Sequence, residues 1–269
     1  MPPRSKPIGD AAAAVLRERC VLDEASRRIT VGSLDKPLDR KLYAEVDEVL
    51  RRLGATWDKK AKAHTFIDPD FPARLAEAVG RGVAPPANPL AFFETPEDVI
   101  EIMISLSEIT RGDPPRPRVL EPSAGLGAIA RYVREVVPSA ILRCVELDPV
   151  RYSALRKDGF HTWRGDFLAY EATGPRYDYV LMNPPFALEG ERHAYAIHVC
   201  HAYDAFLAPG GRLVAVTPVG WQSAERGLPA VFRDFVEIHG WAEPLDEDAF
   251  TPSGTSVRAC LVVLDRPAR

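Results

Sequence analysis

Two consecutive prolines set against an apolar run constrain this chain more than any other feature. Tyr179-Val180-Leu181-Met182 reads as a buried strand of a parallel sheet, because strands covered on both faces are apolar without alternation. Pro184 and Pro185 follow one residue later. Neither has an N–H to give to a sheet ladder, so the strand stops there and presents its carboxyl end. Open α/β sheets bind their ligands at that edge. Asn183 and Phe186 flank the prolines. The Asn183 amide oxygen and the Pro184 carbonyl can both accept from one NH2 group, and Phe186 offers a face for a flat ring to stack on. The same four residues also fit a strand-ending turn with a packed aromatic.

Upstream, Arg118-Val119-Leu120-Glu121-Pro122-Ser123-Ala124-Gly125-Leu126-Gly127-Ala128-Ile129-Ala130 reads as a strand, a glycine-rich turn and the start of a helix. Gly125 and Gly127 permit positive φ and close approach of a ligand to the backbone. A helix beginning near Leu126 would aim its free N–H groups at a carboxylate or phosphate. A second apolar run, Ala140 to Val145, ends in Glu146 and Leu147. Glu146 follows Gly125 by close to the ~20 residues at which an acid reaches ribose hydroxyls in nucleotide-binding βαβ units. A dinucleotide fingerprint asks for a third glycine where Ala130 stands, and Glu121 would repel a pyrophosphate. A ligand with an amino-acid end, a nucleoside end and no phosphate suits the loop better. S-adenosylmethionine is such a ligand.

With these residues in place, the chain resembles a class I S-adenosylmethionine-dependent methyltransferase. It is most similar to the N6-adenine DNA methyltransferases of gamma-type motif order, which carry an NPPF motif. In that family an F-x-T-P element precedes the glycine loop, as Phe93-Glu94-Thr95-Pro96 does here. The resemblance implies that Phe93, Thr95 and Pro96 border the cofactor, together with Glu121, Pro122, Ser123, Ala124, Gly125 and Gly127 of the methionine-binding loop. It assigns Glu146, with Leu147, to the ribose. Asp166 of Gly165-Asp166-Phe167 would accept from the cofactor's adenine amino group, and Phe167 would lie against that ring. Asn183, Pro184, Pro185 and Phe186 match the catalytic motif, with Asn183 also beside the cofactor. Ser253-Gly254-Thr255-Ser256-Val257-Arg258 leading into Ala259–Leu264 resembles the final hairpin of such folds. The implied core is α/β: a Rossmann-like, mostly parallel seven-stranded sheet with helices on both faces. The likeness covers about residues 91 to 265.

Local chemistry supplies second readings for several of these residues. Thr95 is a good N-cap and Pro96 a good first helical residue, with Ile100, Met103 and Ile104 on one face of the helix that follows. That is also the pattern of an ordinary capped helix with Phe92 and Phe93 as core. Asp166 fits a turn after Gly165, Phe167 fits a core position, and Glu121 fits a solvated loop residue.

Ahead of this core, residues 1–82 read as a small α+β domain, 83–117 as a linker with the leading helix, and 118–269 as the catalytic core. Asp39 can cap a helix carrying Leu42, Val46, Val49, Leu50 and Leu53, which Gly54 ends. Arg28–Val31 and Ala63–Ile67 read as short strands, and Pro72–Val79 as a helix. Gly80 to Pro89 and Arg111 to Pro117 are Pro/Gly-rich connections. Ala11–Leu16, followed by Arg17-Glu18-Arg19, reads as helix and not as a secretory signal.

The formal net charge of -4 speaks against a nucleic-acid partner, but its distribution reverses that inference. Residues 1–90 hold 16 Lys and Arg against 13 Asp and Glu, leaving 18 against 25 in the remainder. Arg51-Arg52 and Trp57-Asp58-Lys59-Lys60-Ala61-Lys62 place an aromatic among cations, which suits phosphate contacts; the same run also fits a solvated turn. No stretch approaches the ~20 apolar residues of a membrane span. The 4 cysteines show no C-x-x-C pair, as in reduced cytoplasmic proteins. His198 and His201 share a helix face and not a metal-ligand spacing, so no metal is expected.

The resemblance therefore implies transfer of a methyl group from S-adenosylmethionine to adenine N6, with nucleic acid as partner and DNA ahead of RNA. Gamma-type enzymes carry a long recognition domain after the core, whereas residue 269 closely follows the last strand here. Target reading would then fall to the amino-terminal domain or to a partner. RNA adenine-N6 or guanine-N2 methylation uses nearly the same motif. So does glutamine methylation in release factors, usually with Tyr where Phe186 stands. A non-catalytic scaffold is a further alternative.

Overall fold

The computed structural model describes residues 5–32, 38–66, 68, 70–86, 92–171, 174–253 and 257–268. The chain divides into two compact units, Met1–Leu90 and Ala91–Arg269.

In the amino-terminal unit the elements run β1 (Lys6–Pro7), α1 (Asp10–Glu18), β2 (Cys20–Asp23), β3 (Arg28–Val31), α2 (Arg40–Arg52), β4 (Thr56–Asp58), β5 (Ala63–Thr65), α3 (Phe71–Arg81) and β6 (Val83–Ala84). Four antiparallel strands form a sheet in the order β2-β3-β5-β4, and β1 pairs with β6. Asp39 caps α2 as its sequence predicts, accepting from the Lys41 and Leu42 N–H groups at 2.9 and 3.0 Å. Val46, Val49 and Leu50 of α2 meet Ile29 of β3 and Phe71 and Leu75 of α3 in one apolar core. Val83 and Ala84 extend the folded unit where the sequence suggests a connection; two residues suffice because β1 offers them an edge. Ile67 and Ala87-Asn88-Pro89, read above as strand end and linker, lie outside the described residues. The basic cluster is thinner than its sequence suggests. Arg51 and Arg52 pair with Asp47 and Glu48 one turn back, at 2.7 and 2.9 Å.

The second unit runs α4 (Glu97–Ser107), β7 (Arg118–Glu121), α5 (Ala128–Val136), β8 (Ile141–Glu146), α6 (Pro149–Lys157), β9 (His161–Arg164), β10 (Tyr177–Met182), α7 (Ala194–His201), β11 (Leu207–Pro218), α8 (Gly227–His239), β12 (Gly240–Pro244) and β13 (Ala259–Asp265). Its strands make one seven-stranded sheet ordered β12-β13-β11-β10-β7-β8-β9. β7 pairs in parallel with β8 and β10, β8 with β9, and β10 with β11, while β13 runs antiparallel between β11 and β12. This is the Rossmann-like α/β sheet that the sequence leads one to expect.

Side chains that alternate along each strand serve two different cores. Val180 and Met182 of β10 pack with Tyr195 and Val199 of α7 and Phe232 and Val236 of α8. Leu181 between them faces Ile100 and Met103 of α4 and Ile129 and Val133 of α5. Helices on both faces explain why Tyr179–Met182 is apolar throughout. The chain enters the sheet at β7, proceeds outward through β8 and β9, then returns to the other side of β7 as β10. That reversal opens a crevice at the carboxyl ends of β7 and β10. Among the described residues no helix is long and apolar enough to cross a membrane, and no group of His, Cys, Asp and Glu could hold a metal ion. Cys144 and Cys260 are fully buried, and all four cysteines are free thiols.

Candidate active site

Glu121 ends β7, Glu146 ends β8, Asp166 stands two residues past β9 and Asn183 directly follows β10. Because the four strands are parallel, these side chains gather on one edge of the sheet. The two glycines take the positive φ that their loop requires, +55° at Gly125 and +86° at Gly127.

Asn183 is the best defined of the group. Its Nδ2 donates to the Phe93 carbonyl at 3.1 Å and to Thr95 Oγ1 at 3.0 Å. A carbonyl only accepts, so the amide nitrogen must be the end facing Phe93, and Oδ1 must face the other way. This corrects the reading of Thr95 as a helix cap. α4 starts at Glu97, with Pro96 in the capping position and no side-chain cap bond, and the buried Thr95 hydroxyl serves Asn183 instead. The F-x-T-P element and the N-P-P-F element thus meet, 88 residues apart in sequence. Pro184 is buried, while Pro185 and Phe186 are half-buried. Phe186 rests against both core clusters, so part of its ring is packed as the plainer sequence reading expects.

The glycine loop is built from both sides. Ala124 N–H bonds to the Val145 carbonyl at 3.0 Å and Gly127 N–H to the Ala124 carbonyl at 2.7 Å, leaving α5 to begin at Ala128, two residues later than the sequence suggests. Gly125 N–H donates to Glu146 Oε2 at 2.7 Å. Glu146 Oε1 accepts from Asp148 N–H at 2.7 Å and from Arg151 Nε and Nη2 at 3.2 and 3.1 Å. The Arg151 guanidinium lies 4.6 Å from the centre of the Phe92 ring, and a Cβ on Gly125 would run into that same ring. Phe92 therefore covers the loop, and Gly125 is glycine partly to make room for it. Sequence reasoning misses Arg151. Its signal is the Asp148-Pro149 helix start, where Asp148 accepts from the Val150 and Arg151 N–H groups at 2.9 Å each and sets the first turn of α6 beneath Glu146.

Glu121 is no solvated loop residue: it is 2% exposed. Burial pushes its carboxyl well above the ordinary glutamate range, the Ala130 N–H at the start of α5 pulls the other way, the Glu146 carboxylate raises it further, and Arg131 lowers it. Its Oε2 is buried with no hydrogen-bond partner. A buried unpaired acceptor is costly, and a strongly perturbed carboxyl at a sheet edge marks a functional site. The group facing the start of α5 is thus the chain's own carboxyl, with burial favouring its protonated form.

Asp166 is exposed and accepts from the Leu168 N–H at 3.0 Å. Phe167 departs from the role its motif implies. It is 3% exposed, with its ring among His201, Phe206 and His198 at 5.0, 5.3 and 6.0 Å, and so has no face left for a ligand. Exposed leucines follow three of the edge residues instead: Leu126 after Gly125, Leu147 after Glu146 and Leu168 one beyond Phe167. Pro122 is buried and Ser123 half-buried, and both sit between Glu121 and the loop glycines. In the stretch read as a final hairpin, Gly254, Thr255 and Ser256 lie outside the described residues, and Ala259–Asp265 forms β13 in mid-sheet.

No protein-family profile matches the chain. It is 30% identical over 162 residues to the type II methyltransferase M.TthHB8I of Thermus thermophilus, an overlap of 49% of this chain and 35% of that protein. The chain thus spans about a third of that relative's length. It is 24% identical over 216 residues to the release factor glutamine methyltransferase of Deinococcus radiodurans, covering 71% of this chain and 75% of the relative. Among solved structures, a class I S-adenosylmethionine-dependent methyltransferase from Listeria monocytogenes superposes with a TM-score of 0.53 at 17% identity, over 64% of this chain and 60% of that one. The fold of the second unit is that of class I S-adenosylmethionine-dependent methyltransferases.

Proposed function

We propose that the crevice binds S-adenosylmethionine and that the chain methylates the N6 amine of adenine in DNA. The observation that carries this reading is the fixed amide of Asn183, whose nitrogen is spent on Phe93 and Thr95 and whose oxygen is left to accept from an NH2 group. The crevice residues fit the cofactor. The open Glu121 oxygen suits a cationic group, Glu146 Oε2 has a lone pair beyond the one used by Gly125 for a ribose hydroxyl, and the exposed Leu147 directly after Glu146 offers apolar surface. When bound, the cofactor supplies a methyl group on a positively charged sulfur. The protein then contributes alignment and the correct hydrogen-bond acceptors, and alignment is worth many orders of magnitude in rate. Asn183 Oδ1 and the Pro184 carbonyl would accept hydrogen bonds from the two amine hydrogens, which keeps electron density on the nitrogen, and the one proton released on methylation passes to water. Phe186 supplies a face against the ring of an adenine taken out of its stack.

The 30% identity to a type II methyltransferase favours a nucleic-acid substrate, and the phenylalanine at position 186 favours adenine. The 24% identity to a release factor glutamine methyltransferase favours a second reading, since a glutamine side chain also presents an NH2 on a flat group. RNA adenine or guanine amines meet the same acceptors. A labelled-methyl transfer assay offering duplex DNA, single-stranded DNA, RNA and protein separates these readings. Label recovered in N6-methyladenine from DNA supports the first, and label confined to RNA or protein overturns its substrate.

A further inference from the structure

The opposite edge of the core sheet holds a second concentration of charge that methyl transfer does not use. A cleft of about 780 Å³ lies there, with Arg118, Arg176, Arg266, Asp178, Tyr203 and His239 in its walls. Arg118 opens β7, Arg176 precedes β10, and Arg266 follows β13, whose reversed direction brings its carboxyl end to this edge. Arg176 Nη1 donates to the Asp204 and Leu207 carbonyls at 2.6 and 3.2 Å. Arg266 Nη1 donates to the same two carbonyls at 3.2 and 3.1 Å, and to that of Tyr203 at 2.7 Å.

Both arginines cap these carbonyls at the end of the helical turn that continues α7, where a cation is favoured. Like charges brought onto shared acceptors repel each other. Arg118 adds a third guanidinium. Its Nη2 donates to the Pro175 carbonyl at 2.7 Å, and its Nε is buried with no partner. Among the described residues none of the three is ion-paired with a carboxylate. Asp178, the acid in the lining, accepts from the Arg118 backbone N–H at 2.8 Å, and nearby Asp265 is held by Arg212 at 2.7 and 2.9 Å.

We propose that this cleft binds a phosphate group. Planar guanidinium forks with unspent N–H donors match phosphate oxygens in geometry and charge, and an anion between them offsets the mutual repulsion of three guanidinium groups. The ligand is a phosphomonoester or phosphodiester, carried by a free nucleotide or by a nucleic-acid backbone. The inference does not rest on the methyl-transfer reading.

The test titrates inorganic phosphate, adenosine 5′-monophosphate and a short single-stranded oligonucleotide against the full chain at constant ionic strength, read by calorimetry. Phosphate should bind, and Arg176→Gln should weaken it by about tenfold or more, the loss of one charged hydrogen-bond donor set. The glutamine amide still reaches for the capped carbonyls, and circular dichroism verifies that the variant folds. A measurement free of variants accompanies it: phosphate should protect Arg118, Arg176 and Arg266 from phenylglyoxal, read peptide by peptide by mass spectrometry. Competition between the oligonucleotide and phosphate assigns the site to a polymer backbone, and binding of only the small anions assigns it to a free ligand; either supports the proposal. No phosphate binding, or binding and modification that ignore these arginines, overturns it.

Discussion

The role proposed for Asn183 depends on which end of its amide faces the protein. The sequence shows the residue and its prolines but not this orientation, because the partners, Phe93 and Thr95, come from an element read as a helix start. Thr95 illustrates the limit well. Its capping propensity is real, yet a buried hydroxyl beside an amide N–H gains more by accepting from it than by capping a turn that Pro96 already begins. Replacing Asn183 with alanine should lower methyl transfer by at least about 100-fold while calorimetric cofactor affinity persists. Phe186→Ala should cost on the order of 1–3 kcal/mol of base binding, read as a rise in Kd for the nucleic acid. Glu121 gives a pH prediction. Its folded pKa lies above the ordinary value of about 4.5, so the native state holds a proton that the unfolded chain releases. Its contribution to stability is full below the ordinary value and declines as pH rises toward the shifted one. Glu121→Gln should therefore melt higher than the parent at pH 7 to 8, with the gap closing near pH 4, and should bind a cationic cofactor less tightly. Equal melting curves across that range would contradict this picture of the carboxyl.

Among the elements, those that build the crevice are the ones most legible in sequence. β10 carries the continuous apolar run Tyr179–Met182 because helices cover both sheet faces, β7 and β8 carry the shorter pairs Val119-Leu120 and Cys144-Val145, and Asp39 and the two loop glycines announce their turns by chemistry that few other residues can supply. β12 is less legible. Gly240–Pro244 begins with glycine and ends with proline, and only β13 beside it makes it a strand. Phe167 and Arg151 fail for a related reason. Which way these side chains turn depends on neighbours distant in sequence, His198 and His201 of α7 for Phe167 and Phe92 for Arg151. The glycine loop is testable as a unit. Gly125→Ala would hold an ordinary residue at φ +55° and press a methyl group on Phe92. The expected cost is about 1–3 kcal/mol of stability, read by denaturant unfolding, with a larger proportional loss of cofactor affinity.

Across the whole molecule the charge is uneven: the amino-terminal 90 residues are mildly basic, and the core unit is acidic apart from its arginine cleft. Arg51 and Arg52 form helix ion pairs, while the exposed Lys59, Lys60 and Lys62 follow Trp57, 38% exposed, as a cationic patch of the first unit. If that surface meets a nucleic-acid backbone, changing the three lysines to glutamate should weaken binding without changing cofactor affinity. It should also flatten the dependence of log K on log salt by about one for each phosphate no longer neutralised. Fold and chemistry are written in the second unit, where local patterns agree with one another. The substrate is written less plainly, since a surface of lysines specifies phosphate but not which polymer carries it. Methylation of adenine N6 in DNA by the Asn183 crevice is tested most directly by incubating the protein with methyl-labelled S-adenosylmethionine and DNA and digesting the product to nucleosides. Label should appear in N6-methyladenine and be absent with Asn183→Ala. Label in another nucleoside, or transfer undiminished by the alanine variant, would contradict the assignment.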